Sequence, residues 1–121
     1  MDWQIWDRVG ISASGEIYAD VTIPPDSPWF SGHFPAEPIL PGIAQLALVL
    51  EAIRQATEQN IAVQRLKRIR FRQIIKPGDQ LSVVVNATKE KEDIFAFSIL
   101  RQEEVVCSGT MVCKVFGEGR R

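Results

Sequence analysis

The sequence predicts an α+β domain in which a curved antiparallel β-sheet wraps around one long buried helix. Three observations carry that expectation. The stretch from Trp29 to Ile53 closes on a segment, 42 to 53, in which only Gln45 and Glu51 are polar, and a helix apolar on every side is a buried one. That segment is too short for a membrane, whose crossing takes about 20 residues. One run before it and four after it are rich in β-branched and aromatic residues and are separated by turn signals. A chain of 121 residues suits a single domain spanning 1–121, with its core between about residues 10 and 116.

Taken in order, residues 1 to 10 carry Trp3, Ile5 and Trp6. They read as a short helix or an irregular cover over one end of the core. Residues 11 to 23 alternate weakly through Ile17, Ala19, Val21 and Ile23 and stop at Pro24-Pro25, which predicts a strand. The loop WFSGHFPAEPILPG follows, with the single histidine, His33, and prolines at 35, 38 and 41. Proline fixes φ and drives the residue before it toward extended geometry. Residues 34 to 41 are therefore not helical, and the His33–Glu37 spacing does not make a helical ligand pair. Gly32 allows a close backbone approach or a positive φ. Pro41 suits the first turn of the helix, since its missing N–H costs no helical bond. The helix turns polar from Arg54 onward, and Asn60 is its expected stop.

From Arg65 the chain reads as a β-meander. In RLKRIRFRQII, Leu66 has one parity and Ile69 and Phe71 the other, which predicts a bulge or two-sided burial. Pro77-Gly78-Asp79 is a turn signal. LSVVVNATKE, IFAFSIL and VVCSGTMVCKVF are strands, joined by hairpin tips at 89–93 and 101–104. Gly109 marks a bulge or kink in the last strand, and the tail GEGRR frays. So few strands cannot close a barrel, and open edges invite dimerisation, edge to edge.

Composition excludes several functions. The net charge of −1 gives no global attraction to nucleic acid. Asp2 and Asp7 stand where a signal peptide needs basic and apolar segments, and there is no apolar run of about 18 residues for a membrane helix. A cytoplasmic protein is expected. Cys107 and Cys113 on one strand would point to one face about 20 Å apart, beyond disulfide reach, so both are read as reduced core thiols. One histidine and two remote cysteines do not make a zinc site. No phosphate-binding loop, GxSxG elbow or repeat is present, and no cofactor is expected.

WFSGHFPAEPILPG resembles the signature F-x-G-H-F-P-x-x-P-[VIL]-[ML]-P-G of the 3-hydroxyacyl-[acyl carrier protein] dehydratases, which have the hotdog fold. RIRFRQIIKPGDQLSV and CSGTMVCKV are similar to later segments of the same family. The resemblance covers residues 10 to 116 or so. It implies removal of water from a (3R)-3-hydroxyacyl thioester, held on the phosphopantetheine arm of acyl carrier protein, to give a trans-2-enoyl thioester. It implies that His33 is the base at the α-carbon and that Gly42 N–H polarises the thioester carbonyl, with Phe34, Pro41 and Gln45 beside the substrate. Orphan N–H groups and the positive end of a helix dipole suit developing enolate charge. The family pairs the histidine of one subunit with a carboxylate of the other, which implies a homodimer.

The chain departs from the family where that carboxylate belongs. Fourteen positions after His33 stands Ala47. Losing one acid–base group costs about 10²- to 10⁴-fold in rate. Glu51 lies one turn further on nearly the same face, about 6 Å along the axis, whereas Gln45 is about 200° away from Ala47 around the helix. Glu51 is therefore the candidate second catalytic residue, with a pairing to Arg54 as the plainer reading. Gln45 reads equally as a buried amide bonded to a strand or loop carbonyl, and His33 as a histidine bonded to backbone. Ile43, Leu46, Leu50 and Ile53 form a stripe that reads as core or as an acyl-channel wall. Arg65, Lys67, Arg68, Arg70, Arg72 and Lys76 form a basic run, either a solvated edge or a dock for an acidic carrier protein. Two alternatives stand beside the dehydratase: an acyl thioesterase, and a non-catalytic subunit that binds acyl thioesters or carrier protein.

Overall fold

A computed structural model of the chain describes residues 3–30, 39–87 and 94–115. Six strands and one helix follow in the order β1 (Ile5–Ile11), β2 (Ile17–Thr22), α1 (Gly42–Thr57), β3 (Ile61–Phe71), β4 (Gln80–Ala87), β5 (Ile94–Arg101) and β6 (Glu104–Val115). A short 3₁₀ turn, Pro28–Phe30, lies between β2 and α1. The strands form one sheet in the order β1-β2-β4-β5-β6-β3, and every neighbouring pair is antiparallel. With one helix against its inner face this is the α+β hotdog architecture.

The core comes from alternation in the strands meeting one side of the helix. Ala19 and Val21 of β2, Val83 and Val85 of β4, Phe97 and Ile99 of β5 and Met111 of β6 are buried. They meet Ala44, Leu48, Val49, Ala52 and Ile53 of α1. The helix is not enclosed on every side, as its composition suggested. Ile43 is 66% exposed, Ala47 is exposed, and Leu46 and Leu50 are half-buried. Of the expected apolar stripe only Ile53 is fully in the core. A sheet reaches one face of a helix, and the other face of α1 stays apolar and uncovered by its own chain.

Three expectations about the strands are corrected. Residues 5 to 11 are neither helix nor cover: they form β1, paired with β2 from Ile5↔Thr22 to Ile11↔Ile17. Residues 11 to 23 are accordingly not one strand. Gly15, at φ 92°, closes a turn in which its N–H donates to Ser12 O at 2.9 Å and Ser12 Oγ accepts from Glu16 N–H at 3.1 Å. Trp3 does act as a cover, with its ring edge-on to Trp29 at 5.8 Å. The strands after the helix are not a simple meander either. β3 pairs with β6 at the far edge, while β4 pairs with β2. The chain leaving β3 is steered at its first step, where Arg72 N–H donates to Val106 O at 2.8 Å. Val106 is the extra residue of a bulge between the Ile99↔Cys107 and Leu100↔Val105 pairs. The helix also ends earlier than Asn60: Glu58 adopts φ 58° and its N–H bonds Arg54 O, a left-handed cap.

The parity break in β3 is a bulge. Register slips between Lys67 and Arg70, and Arg68 sits at φ 55°. Gly109 is not itself bulged, since it stays in register with Phe97 of β5. It leaves room for the bulge opposite: a Cβ there would run into Ile69 Cδ1 and would stand 3.2 Å from both Ile69 Cα and Phe97 Cζ. Because backbone as well as side chain is in the way, Gly109→Ala is expected to cost about 1–3 kcal/mol, read as a lower midpoint in urea denaturation. The hairpin tip at 101–104 is as expected, with Gln102 and Glu103 at φ 53° and 71°, the backbone of a type I′ turn. The tip at 89–93 and the tail lie outside the described residues.

Cys107 and Cys113 are both buried on β6. Burial pushes the Cys107 thiol from 9.0 up to about 11, so the neutral form belongs to the folded state. Its contribution is whole below pH 9, and it is lost as pH rises through the folded value near 11. Folding stability is expected to fall over that interval, and to fall less in Cys107→Ala when both are titrated with urea.

Candidate active site

The first turn of α1 is the centre of the candidate site, and backbone bonds build it. Pro41 holds the N-cap position at φ −64° and ψ 157° with no side-chain cap, and its carbonyl accepts from Ala44 and Gln45 N–H, both at 3.1 Å. Leu40 is held at both ends of its polar backbone. Its N–H donates to Ile75 O at 2.8 Å, and its carbonyl accepts from Gln45 Nε2 at 3.1 Å. Among the described residues no acceptor meets Gly42 N–H, which leaves an orphan donor at the positive end of the helix. A side chain at position 42 would press on Phe71, whose half-exposed ring would have to swing aside. The ring lies against Gly42 Cα, and a Cβ would stand 2.8 Å from Phe71 Cζ.

The loop from 72 to 79 supports this turn and is itself clamped. Arg101 Nη1 donates to Ile74 O at 2.8 Å and to Asp79 Oδ2 at 2.7 Å, and its Nη2 donates to Gln73 Oε1 at 2.7 Å. Asp79 Oδ2 also accepts from Lys76 N–H at 2.8 Å. Gly78 N–H donates to Ile23 O and Ile23 N–H to Asp79 O, tying the loop to the end of β2. Ile75 is fully buried beneath it. Phe71, Asp79 and Arg101 were not singled out from sequence as site residues. The Pro-Gly-Asp turn was the visible signal for this loop, but its partner Arg101 lies 22 positions away.

Gln45 is 4% exposed, and among the described residues its Oε1 has no hydrogen-bond partner. The plainer reading of Gln45, an amide bonded to a loop carbonyl, is what Nε2 does. A cavity of about 240 Å³ opens beside it, lined by Ile39, Leu40, Gln45, Phe71, Arg72 and Gln73 together with Ile74. A larger hollow of about 730 Å³ lies around Asp7, Asp20, Asp79 and Arg101. Its carboxylates are already engaged: Asp7 by Thr22, Asp20 by Arg8 and Ser82, and Asp79 by Arg101.

Glu51 is held by its neighbours. Oε2 accepts from Gln55 Nε2 at 3.3 Å, and Oε1 is 3.7 Å from Arg54 Nη1. Its side chain is 38% exposed. Arg54 in turn donates to Ile61 O, which joins the pair to β3. Ala47 is exposed on the open face of α1. His33 and Phe34 lie outside the described residues. The basic run divides between β3, where Arg65, Lys67, Arg68 and Arg70 follow the open edge, and the loop, with Arg72 and Lys76. All six are exposed, and among the described residues none forms an ion pair. No described helix is long and apolar enough to cross a membrane.

A hotdog sheet wrapped on one helix, with a glycine at the uncapped start of that helix, defines the class. The comparisons supply the family. The model of ApeI-like proteins, described as ApeI dehydratase, matches residues 11–110. The 3-hydroxyacyl-[acyl-carrier-protein] dehydratase FabZ of Shewanella woodyi is 33% identical over 88% of this chain and 78% of its own. The dehydratase heterocomplex ApeI:P from Xenorhabdus doucetiae superposes with a TM-score of 0.81 at 24% identity, over 93% of this chain and 98% of that one. A hypothetical thioesterase with coenzyme A from Streptococcus pneumoniae shares the fold at TM-score 0.67 and 13% identity, over 98% of this chain and 88% of that one. The chain belongs to the ApeI-like family of FabZ-related dehydratases.

Proposed function

We propose that this chain is a subunit of a 3-hydroxyacyl-[acyl carrier protein] dehydratase, acting in fatty acid or related acyl-chain synthesis. The observation that carries the reading is the bare start of α1: Gly42 N–H is unpaired among the described residues, at the end of the histidine-bearing loop, in a chain of a dehydratase family. The substrate is a (3R)-3-hydroxyacyl thioester on the phosphopantetheine arm. Gly42 N–H holds the thioester carbonyl. His33 removes the C2 proton, the C2=C3 bond forms, and the C3–O bond breaks as the hydroxyl takes up a proton and leaves as water. Pro41 and Phe34 shape the approach. The uncovered apolar face of α1, with Ile43, Leu46 and Leu50, supports a dimer. The exposed basic side chains from Arg65 to Lys76, without ion pairs among the described residues, support docking of an acidic carrier protein, mainly through its on-rate.

Ala47 decides what completes the site. In this chain Glu51 is engaged by Arg54 and Gln55, so a water molecule is the better proton donor to the leaving hydroxyl in a homodimer. A second reading is a heteromer whose other chain brings the carboxylate. The Xenorhabdus relative, described as a heterocomplex, favours it. One experiment separates these readings from the alternatives. The purified chain is incubated with a short (3R)-3-hydroxyacyl carrier protein and the products are followed by mass spectrometry. Loss of water supports the dehydratase, release of the carrier thiol supports a thioesterase, and unchanged substrate that stays bound supports the heteromeric subunit.

A further inference from the structure

Gln45 is a buried carboxamide with one end satisfied and the other without a partner among the described residues. Its orientation does not depend on how the amide is assigned. Leu40 O can only accept, so the nitrogen must face it at 3.1 Å, and the oxygen is the end left over. A buried acceptor without a donor costs about 1–3 kcal/mol; Gln45 lines a cavity of about 240 Å³, and Oε1 itself exposes almost no surface, so a donor reaches it only when an occupant of the cavity moves the wall aside. The cavity walls explain what kind of donor. Ile39, Phe71 and Ile74 are apolar, and Arg72 belongs to the basic run. The occupant is thin and largely apolar, with a hydrogen-bond donor at its buried end.

We propose that Gln45 Oε1 receives the amide N–H of the substrate's thiol arm nearest the sulfur, and so reads the arm rather than the acyl chain. The inference rests on the acyl-thioester reading above. Gln45 does not stand in for the family's carboxylate, because it lies about 200° around the helix from Ala47. Spacing favours the arm. Gln45 is three residues beyond Gly42, about 4.5 Å along the axis. The arm's first amide nitrogen is four bonds from the thioester carbonyl carbon, a span of about 5 Å. With the carbonyl oxygen on Gly42 N–H, the amide N–H comes level with Gln45, and the arm leaves past Arg72 toward the basic edge.

The test uses two ketone analogues of a short acyl-pantetheine, with CH₂ in place of the thioester sulfur. One keeps the first amide and the other has an ester oxygen in place of its N–H. Titration calorimetry is expected to show the amide binding the wild-type chain roughly ten-fold more tightly, and Gln45→Met binding both alike. Equal binding by the wild type, or the same preference kept in Gln45→Met, overturns the proposal and leaves the thioester reading standing. If neither analogue binds, the thioester reading falls and this proposal with it. Should Gln45→Met not fold, a crystal structure of the wild-type complex decides: an amide nitrogen within about 3.2 Å of Gln45 Oε1 upholds the assignment, and one placed elsewhere overturns it.

Discussion

Ala47→Glu is expected to raise the rate of water loss by about 10²- to 10⁴-fold, which corresponds to roughly 3–5 kcal/mol of barrier. The position tolerates the change. Ala47 is exposed on the open face of α1, and alanine and glutamate are both good helix formers, so no core repacks. A carboxyl group there, covered once a second chain closes over the helix, has its pKa raised by burial and becomes able to give a proton to the leaving hydroxyl. The comparison is kcat/KM for Ala47→Glu against wild type, with Ala47→Gln as the control of equal shape that cannot give a proton. Unchanged rates in a folded Ala47→Glu would show that position 47 does not face the hydroxyl.

The second large effect belongs to His33. Removing the base at the α-carbon through His33→Ala is expected to lower water loss by about 10²- to 10⁴-fold, with carrier-protein binding unchanged. Groups that act as a unit are not additive. The gain from Ala47→Glu should therefore vanish in the His33→Ala background, and a gain that survived there would separate the two residues into different events. Glu51→Gln is expected to leave the rate nearly alone, because Arg54 and Gln55 already hold that carboxylate.

Much of this was legible in the chain, and the rest was hidden for identifiable reasons. The start of α1 was readable because proline and glycine act locally: Pro41 sits at the N-cap and Gly42 opens the helix. The break in β3 was readable because a parity change has few causes, and Arg68 at φ 55° is one of them. Composition overstated the burial of α1. An apolar residue such as Ile43 reads the same whether its own sheet or another chain covers it. The hairpin at 12–16 was missed because the alternation from Ile17 onward was extended backward through Ser12 and Gly15, whose turn bonds were the stronger signal. The place of β3 beside β6 depends on pairing across distant segments, as does the grip of Arg101 on Asp79. Local patterns carry neither. Gln45 was seen as buried and amide-bonded, but that its Oε1 lacks a partner among the described residues is a matter of geometry alone.

The central claim is that His33 and the N-terminus of α1 form a working proton-abstraction site even where the usual carboxylate is alanine. The most direct measurement is incorporation of solvent deuterium at C2 of a (3R)-3-hydroxyacyl carrier protein incubated with the purified chain in D₂O. It reads the α-carbon step without relying on the slow departure of the hydroxyl. The expected result is one deuterium at C2 with the wild type and none with His33→Ala. A wild-type chain that binds the carrier protein yet exchanges no C2 hydrogen, or exchange that persists without His33, would contradict it.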